Sequence, residues 1–597
     1  MCKAAGVESF RKGSGSRAWP GARECDEGNP MVADNPHGLV LYDYDGSPCA
    51  RRVRITLLEK GLDWERQVID LSRLEQRNPA YLAINPNGFV PTLAHGERVI
   101  YESNVITEYL DDAFPERPLY PDDAWQLAQV RMWQSAEAAM AKDYRPLMYQ
   151  RLMGPLLHLT RSLDEALAAA RHSTDDPADL AWEERVWRMV VLTPEEEAEV
   201  VDRLTGWLAR LEARLEGREY LVGDAFSQAE ISVYPRVMMY AVVRLAVTPD
   251  SHPNVSRWMA RLATHESFAQ TLSAGDRAMA SLAASPVLPF LWTVLKREKR
   301  SLGERLRLFA IRRAARRAMR PRQPVGQGDG TIRQPADGAV PPQKRPRRPL
   351  REATPEERAQ PIALYEYRHS PHARRIRWLL IEKGLAWTSV EIDMSRLAHK
   401  APDYLALNPN GELPALRHGE RVLHDSQVIA EYLDAIYAPV PFYPDGAWAA
   451  AQVRMWLALE AGTHKEFRPL FWLTVIRREL QLAGVAAGDV ERLVPAGVHP
   501  SHVRWLREVL DGHPRFDSSE ELARQIIGKK LDVLERRLQG RTYLVGERFT
   551  MADAAWYTRL DLCPALGIPL PARRYPNLLD WMARVGERPA AAASLTS

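Results

Sequence analysis

The sequence predicts an α/β plus all-α fold used twice, as two tandem units, each an N-terminal α/β domain followed by a helical-bundle domain. Three observations predict it. First, shifted by 323 residues the chain matches itself: Ser47-Pro48 falls on Ser370-Pro371, Asn85-Pro86-Asn87-Gly88 on Asn408-Pro409-Asn410-Gly411, and Leu221-Val222-Gly223 on Leu544-Val545-Gly546. Over 47–110, 38 of 64 positions are identical without a gap, so the repeat is a whole duplicated unit and not a stack of short ones. Second, short apolar runs alternate with helix signals through the first part of each unit. Third, from residue 122 onward the pattern turns helical, with Trp125, Val130 and Trp133 leading long amphipathic stretches.

The elements of the first unit follow in order. Leu39-Val40-Leu41-Tyr42 suits a buried strand, and Asp43 to Gly46 turns the chain. Ser47-Pro48 makes a helix start, because serine caps well and proline suits the first helical position. Val53, Leu57 and Leu58 give that helix an apolar face, and Gly61 ends it. Glu65 to Leu71 holds a second strand; Asn85 to Leu93 is a turn into a third, with Val90-Pro91 at its start. Gly96-Glu97 makes a hairpin turn into Val99-Ile100, and a helix over 103–114 closes the domain. The order β-α-β-α-β-β-α is the thioredoxin-like plan. In the helical domains, Ser227-Gln-Ala-Glu230 and Thr550-Met-Ala-Asp553 read as capping boxes starting buried helices. The expected division is a disordered tail over 1–37, thioredoxin-like domain 1 over 38–119 and helical domain 1 over 120–285. A basic helix and Pro-rich linker follow over 286–360, then thioredoxin-like domain 2 over 361–442 and helical domain 2 over 443–590.

Composition is that of a soluble globular protein, 46% hydrophobic and 26% charged. The formal charge of +3 hides one basic block. Lys296 to Arg351 holds 18 Lys and Arg against four Asp and Glu, a net of +14. Within it, 321–361 reads as an extended, disordered linker. Residues 295–320 read as a basic helix with Leu295, Leu302, Leu306 and Phe309 at helical spacing. It is expected to pack on the first unit, or else to lie on a membrane surface. Four cysteines, with no CxxC pair and no zinc spacing, exclude a disulfide framework and a structural zinc site and point to a reducing, cytoplasmic compartment. No apolar run approaches the ~18 residues of a membrane span. No P-loop or Rossmann fingerprint points to nucleotide use.

Ser47-Pro48-Cys49-Ala50 with Arg52 and Val53, the Val90-Pro91 pair, and Glu102-Ser103 resemble the glutathione transferase superfamily, twice over and across nearly everything outside the tail and linker. The Ser-x-Cys arrangement is similar to the zeta class. Residues 150–195 and 475–520 look like insertions between early helices, a fainter resemblance to the ganglioside-induced differentiation-associated group. The resemblance implies a glutathione-dependent transferase, a detoxification activity, with glutathione as substrate, a small hydrophobic electrophile as co-substrate and no metal. It also implies dimerisation, satisfied between the two units of one chain or by a homodimer. The basic linker would be free to contact anionic lipid or nucleic acid.

What the resemblance implies for single residues has a simple chemistry. Only the thiolate is a good nucleophile, and a thiol near pKa 8.5 is mostly protonated at neutral pH. A hydroxyl donor at a helix N-terminus stabilises the anion. Ser47 would be that donor, with Ser370 a weaker counterpart. Cys49, in the first helical turn, is the alternative group, and would make the protein a cysteine-type thiol-transferase. Val90, before Pro91 in a cis peptide bond, would hold the cysteinyl backbone of glutathione. Ser103 would take the γ-glutamyl carboxylate and Glu102 the ammonium. Leu413, Pro414, Asp425 and Ser426 keep the same outline in the second unit. Two departures favour a non-catalytic binding protein. Phe89 and Glu412 stand where many relatives carry Lys or Gln, and Glu412 would repel a carboxylate. The second unit has His372 in place of Cys49, read as a surface residue. Tyr144 and Trp133 are candidates to line the hydrophobic site.

Overall fold

The computed structural model describes residues 35–596, except 36, 72–73, 172–176, 274–275, 278–280, 282–286, 296–300, 319–346 and 513–519. The tail expected over 1–37 lies almost wholly outside the described residues, as does the linker from 321 to 346.

Each unit opens on a four-stranded mixed sheet. In the first, β1 (Leu39–Asp43) runs parallel to β2 (Glu65–Val68) and antiparallel to β3 (Thr92–His95), which pairs antiparallel with β4 (Arg98–Tyr101). In the second, β5 (Ile362–Glu366), β6 (Thr388–Glu391), β7 (Ala415–His418) and β8 (Arg421–His424) repeat this pairing in the order β6-β5-β7-β8. The register is that of the first sheet moved by 323 residues. Leu39, Leu41, Leu93 and Ile100 of the first sheet are fully buried against Val53, Leu57, Ile106 and Leu110 of its helices. The helix Pro48–Lys60 starts on Ser47, whose Oγ accepts the Ala50 N–H at 3.2 Å. It stops at Gly61 in the left-handed region, φ +64.

The Asn-Pro-Asn-Gly turn repeats because its geometry demands glycine. Gly88 and Gly411 have φ of +60 and +57, and a Cβ on either would meet the carbonyl of Gln76 or His399 at 3.0 and 2.9 Å. This turn leads into Val90-Pro91 and Leu413-Pro414, both cis as expected.

The helical domains start on Ala124–Met148 and Ala447–Ala461. The two capping boxes form at Ser227–Glu230 and Thr550–Asp553. Each acid also accepts a backbone N–H from the preceding loop, Leu221 to Glu230 at 2.6 Å and Leu544 to Asp553 at 2.9 Å, which is why Leu-Val-Gly recurs with them. The insertions are helical. After a π-turn at Tyr149–Met153 come Gly154–Thr160, Leu163–Arg171 and Pro177–Trp187. After a π-turn at Trp472–Ile476 come Arg477–Leu482 and Pro500–Asp511. Pro146 and Pro469 stand just ahead of the π-turns, where a missing N–H loosens the α-helical ladder.

The two units face each other through matching surfaces. Ser103–Ala113 packs on Ala447–Ala461, and Ser426–Ile436 on Ala124–Met148. At the centre Arg131 pairs with Glu108 and, at 2.6 Å, with Glu431; Arg454 pairs with Glu431 at 2.8 Å and Glu108 at 2.6 Å. On either side, Trp125 meets Tyr432 edge-on and Trp448 meets Tyr109. Each member of these pairs maps onto its counterpart by the 323-residue shift, so the contact is isologous, as in a twofold dimer.

The segment after 346 departs from the disordered linker expected over 321–361. Arg348 reaches Asp111 at 3.3 Å and donates to the Pro121 carbonyl at 2.8 Å. Arg351 bridges Asp123 and Glu357 at 2.5 and 2.9 Å. A short helix, Pro355–Arg358, is capped by Thr354. Acidic groups at the unit junction hold these arginines, a long-range pairing that composition does not reveal. The basic helix forms over Leu302–Ala318. Leu295, however, ends a separate helix, Val287–Leu295, and is buried, whereas Leu302, Leu306 and Phe309 are exposed; Leu308 packs on the first unit's core.

Candidate active site

A cleft of about 5040 Å³ runs between the units, and both serines open onto it. Ser47, Cys49, Arg52, Val90, Pro91, Glu102 and Ser103 share one wall of it, although 56 residues separate the first from the last. The β1 turn delivers Ser47 at the helix start, the Asn-Pro-Asn-Gly turn delivers Val90, and β4 delivers Glu102 and Ser103 at the start of the next helix. Ser47 Oγ accepts from the Ala50 N–H as a cap, which leaves its own proton to be donated into the cleft.

Beneath these residues lies a buried charge cluster that sequence reasoning missed. Arg52 pairs with Glu137, and Arg236 Nε pairs with the same carboxylate at 2.8 Å; all three are buried. Arg52 also donates to Ser103 Oγ at 3.3 Å and to Asn104. Arg236 Nη2 lies 3.7 Å from Cys49 Sγ. Burial works against the Glu137 carboxylate, but the two guanidinium groups outweigh it and hold its pKa below the usual range. Two arginines on one carboxylate leave a net positive charge under the helix N-terminus, adding to the helix dipole. The signal was present in the repeat: Arg52, Glu137 and Arg236 recur at Arg375, Glu460 and Arg559, as charged residues inside otherwise buried helices.

Glu102 has φ +70, and its side chain accepts from Asn87 Nδ2 at 3.1 Å. Burial raises its pKa above the ordinary carboxylate value, with Asn87 and Arg145 pulling against it. Phe89 is half exposed and carries Arg145 over its ring at 5.3 Å. Its carbonyl accepts from Tyr81 Oη and Asn85 Nδ2 at 2.7 and 2.9 Å. A cation therefore stands beside Phe89, at a place where the sequence alone puts none. Tyr144 lines the cleft, stacked on Tyr240 with Arg236 over its ring at 5.4 Å. Trp133 packs against the helical core instead and does not line the cleft.

The second unit keeps the frame and changes the filling. Ser370, Leu413, Pro414, Asp425 and Ser426 again share the cleft wall, and Arg375 and Arg559 hold Glu460 at 2.6 and 2.5 Å. His372 is half-buried in the cleft wall and is engaged there, not free on the outer surface. Its Nε2 accepts from Arg559 at 2.9 Å, its Nδ1 lies 3.5 Å from Ser426 Oγ, and its ring centroid is 5.5 Å from that of His464. Burial, then Arg375, Arg559 and His464, keeps its pKa well below the usual histidine value, so the imidazole is neutral. Asp425 is engaged as well: it accepts from the Gln427 N–H at 2.9 Å and from Ser135 of the first unit at 2.7 Å. Lys400 lies near Glu412 and donates to the Gly411 carbonyl at 2.7 Å. Among the described residues, no group of three or more His, Cys, Asp and Glu is placed to hold a metal ion, and no helix is long and apolar enough to cross a membrane.

The models of the glutathione S-transferase N-terminal domain match residues 41–118 and 369–436, and that of the C-terminal domain matches 184–266 and 500–589. Together they account for more than half of the chain. The chain belongs to the glutathione S-transferase family. A glutathione S-transferase 3 of Zea mays is 34% identical over 238 residues, 38% of this chain and 91% of that protein. A zeta-class glutathione S-transferase of Euphorbia esula is 47% identical over 89 residues, 15% of this chain and 40% of that one. Among solved structures, a β-etherase from Sphingobium sp. strain SYK-6 is 26% identical, with 39% of this chain and 98% of that chain covered and a TM-score of 0.36. As a tandem glutathione S-transferase, the chain carries in one polypeptide two N-terminal and two C-terminal domains of the family.

Proposed function

We propose that the protein is a glutathione-dependent transferase acting on a hydrophobic electrophile, with the first unit carrying the turnover. Ser47 donates a hydrogen bond to the glutathione sulfur and stabilises its thiolate. The supporting observation is the Ser47 hydroxyl at a helix N-terminus above the Arg52–Glu137–Arg236 cluster. Val90 pairs with the cysteinyl backbone, Ser103 holds the γ-glutamyl carboxylate and Glu102 the ammonium. Tyr144 and its neighbours take the electrophile. The second unit supports the first through the isologous contact, which serves within one chain as a dimer interface. Leu413, Pro414, Asp425 and Ser426 line a weaker site, because His372 fills the place of Cys49 and Asp425 is engaged by Ser135.

A second reading has its own observation. Arg236 Nη2 lies 3.7 Å from Cys49 Sγ, which sets a buried cation beside a thiol in the first helical turn. On that reading the Cys49 thiolate attacks a disulfide between glutathione and the substrate and displaces the substrate thiolate; a second glutathione thiolate then displaces Cys49 and leaves as glutathione disulfide.

Retention on immobilised glutathione, followed by assay against a panel of electrophiles, tests the proposal. The wild-type chain and the Ser370→Ala variant should both be retained and should turn over within about threefold of each other, less than half a power of ten in rate. Failure of the wild type to bind glutathione, or loss of turnover in Ser370→Ala alone, contradicts it.

Glu102 gives the pH dependence. A carboxylate whose pKa is raised takes up its proton at a pH above the ordinary carboxylate value. It then loses its attraction for the glutathione ammonium. Glutathione affinity should therefore weaken as pH falls from 7 towards 5, and Glu102→Gln should bind weakly and flatly over that range by calorimetry.

A further inference from the structure

We infer that the helix Leu302–Ala318 docks the protein on anionic lipid membrane, lying in the headgroup plane. The helix has two faces with different fates. Leu308, 4% exposed, anchors it to the core of the first unit, and Ile311 packs beside it. Leu302, Leu306 and Phe309 are 73%, 62% and 66% exposed. They stand at i, i+4 and i+7, so they form one stripe along the outer face. Arg305, Arg307 and Arg313 are exposed beside it. The one acid of the helix, Glu304, is spent at its start, where it accepts the Ser301 N–H at 2.8 Å. The helix lies inside the block of net charge +14, in a chain whose remainder is acidic.

An apolar stripe flanked by arginines matches a bilayer surface, where the apolar side chains enter the acyl boundary and the guanidinium groups meet lipid phosphates. The charge pattern argues against the other occupants. Nucleic acid would engage the arginines and leave Leu302, Leu306 and Phe309 in water. A second copy would set arginine against arginine. Docking by Leu308 leaves the outer stripe free while the cleft stays open on the same molecule.

The test is flotation of the full-length protein with vesicles of phosphatidylcholine alone and of phosphatidylcholine mixed with phosphatidylserine. The mixed vesicles should bind it at low salt, and neutral vesicles much less. Arg305→Glu/Arg313→Glu should weaken binding by about tenfold or more, since each basic residue near an anionic surface counts for roughly fivefold. Leu306→Ser/Phe309→Ser should weaken it by about tenfold or more through lost apolar burial. Both variants should keep wild-type conjugation of a soluble electrophile and wild-type thermal unfolding, because Leu308 is untouched. Three results would overturn the inference. One is no binding to mixed vesicles at low salt. Another is duplex DNA binding that the arginine variant loses and the apolar variant keeps, without vesicle binding. The third is a dimer in sedimentation velocity that Leu306→Ser/Phe309→Ser abolishes.

Discussion

Ser47→Ala is expected to slow glutathione conjugation at neutral pH by roughly tenfold to a hundredfold while changing glutathione affinity much less. A hydrogen bond to a charged acceptor contributes about 1.5–3 kcal/mol. At about 1.36 kcal/mol per pKa unit, its loss should move the pKa of bound glutathione up by roughly one to two units. The thiolate population at neutral pH falls by the same factor, and the rate with it. The pH–rate profile should shift to higher pH and recover its plateau in alkali. Ser47 also caps its helix through the Ala50 N–H, so alanine should cost about 1 kcal/mol of stability as well. Ser47→Thr, which keeps both the hydroxyl and the cap, should restore most of the rate. Cys49→Ala should be mild in the same assay. If Cys49→Ala abolishes turnover while Ser47→Ala leaves the profile in place, the cysteine reading holds and the serine reading fails.

Glu431→Gln is expected to destabilise the chain by about 3–5 kcal/mol, measured by denaturant unfolding. Glu431 is buried between Arg131 and Arg454, at 2.6 and 2.8 Å. Removing its charge leaves two buried guanidinium groups sharing Glu108, with Asp112 reaching only Arg454, at 3.3 Å, and stranding a buried charge is costly where exchanging a whole pair for apolar groups is not. Replacing Glu108, Arg131, Glu431 and Arg454 together by apolar residues should therefore cost less than the single change. Burial disfavours the Glu431 carboxylate, but Arg131 and Arg454 prevail and pull its pKa to about 2. A depressed carboxylate stabilises the fold above its unfolded pKa of about 4.3, and that stability drains away as pH falls through the folded value. The wild type should lose stability between pH ~4.3 and ~2, and Glu431→Gln should be flatter across that window.

Much of the fold was legible because each unit follows local rules that repeat. Ser-Pro starts a helix, Asn-Pro-Asn-Gly needs a positive φ, and Ser-x-x-Glu caps a helix; each rule involves residues close in sequence. The units' mutual contact was legible only as an expectation, since Arg131 and Glu431 are ordinary charged residues until folding brings them together. The same holds for Arg236, which reaches Cys49 from 187 positions away. His372 was misread for a related reason. A histidine at a helix start is usually solvated, and only the arrival of Arg559 and His464 from the helical domain half-buries it. Leu302, Leu306 and Phe309 show the converse case, in which helical spacing of apolar residues gave the helix but not the side that would pack. Leu308 takes that role, one position off the stripe.

The most direct test of the central claim is the ultraviolet absorbance of the glutathione thiolate, titrated with pH on the wild-type enzyme and on Ser47→Ala. The proposed chemistry predicts a bound thiol that ionises at least about one unit below the free value near 8.5 in the wild type. In Ser47→Ala it should rise by roughly one to two units. A wild-type titration at the free value, or one that Ser47→Ala leaves unmoved, would contradict it.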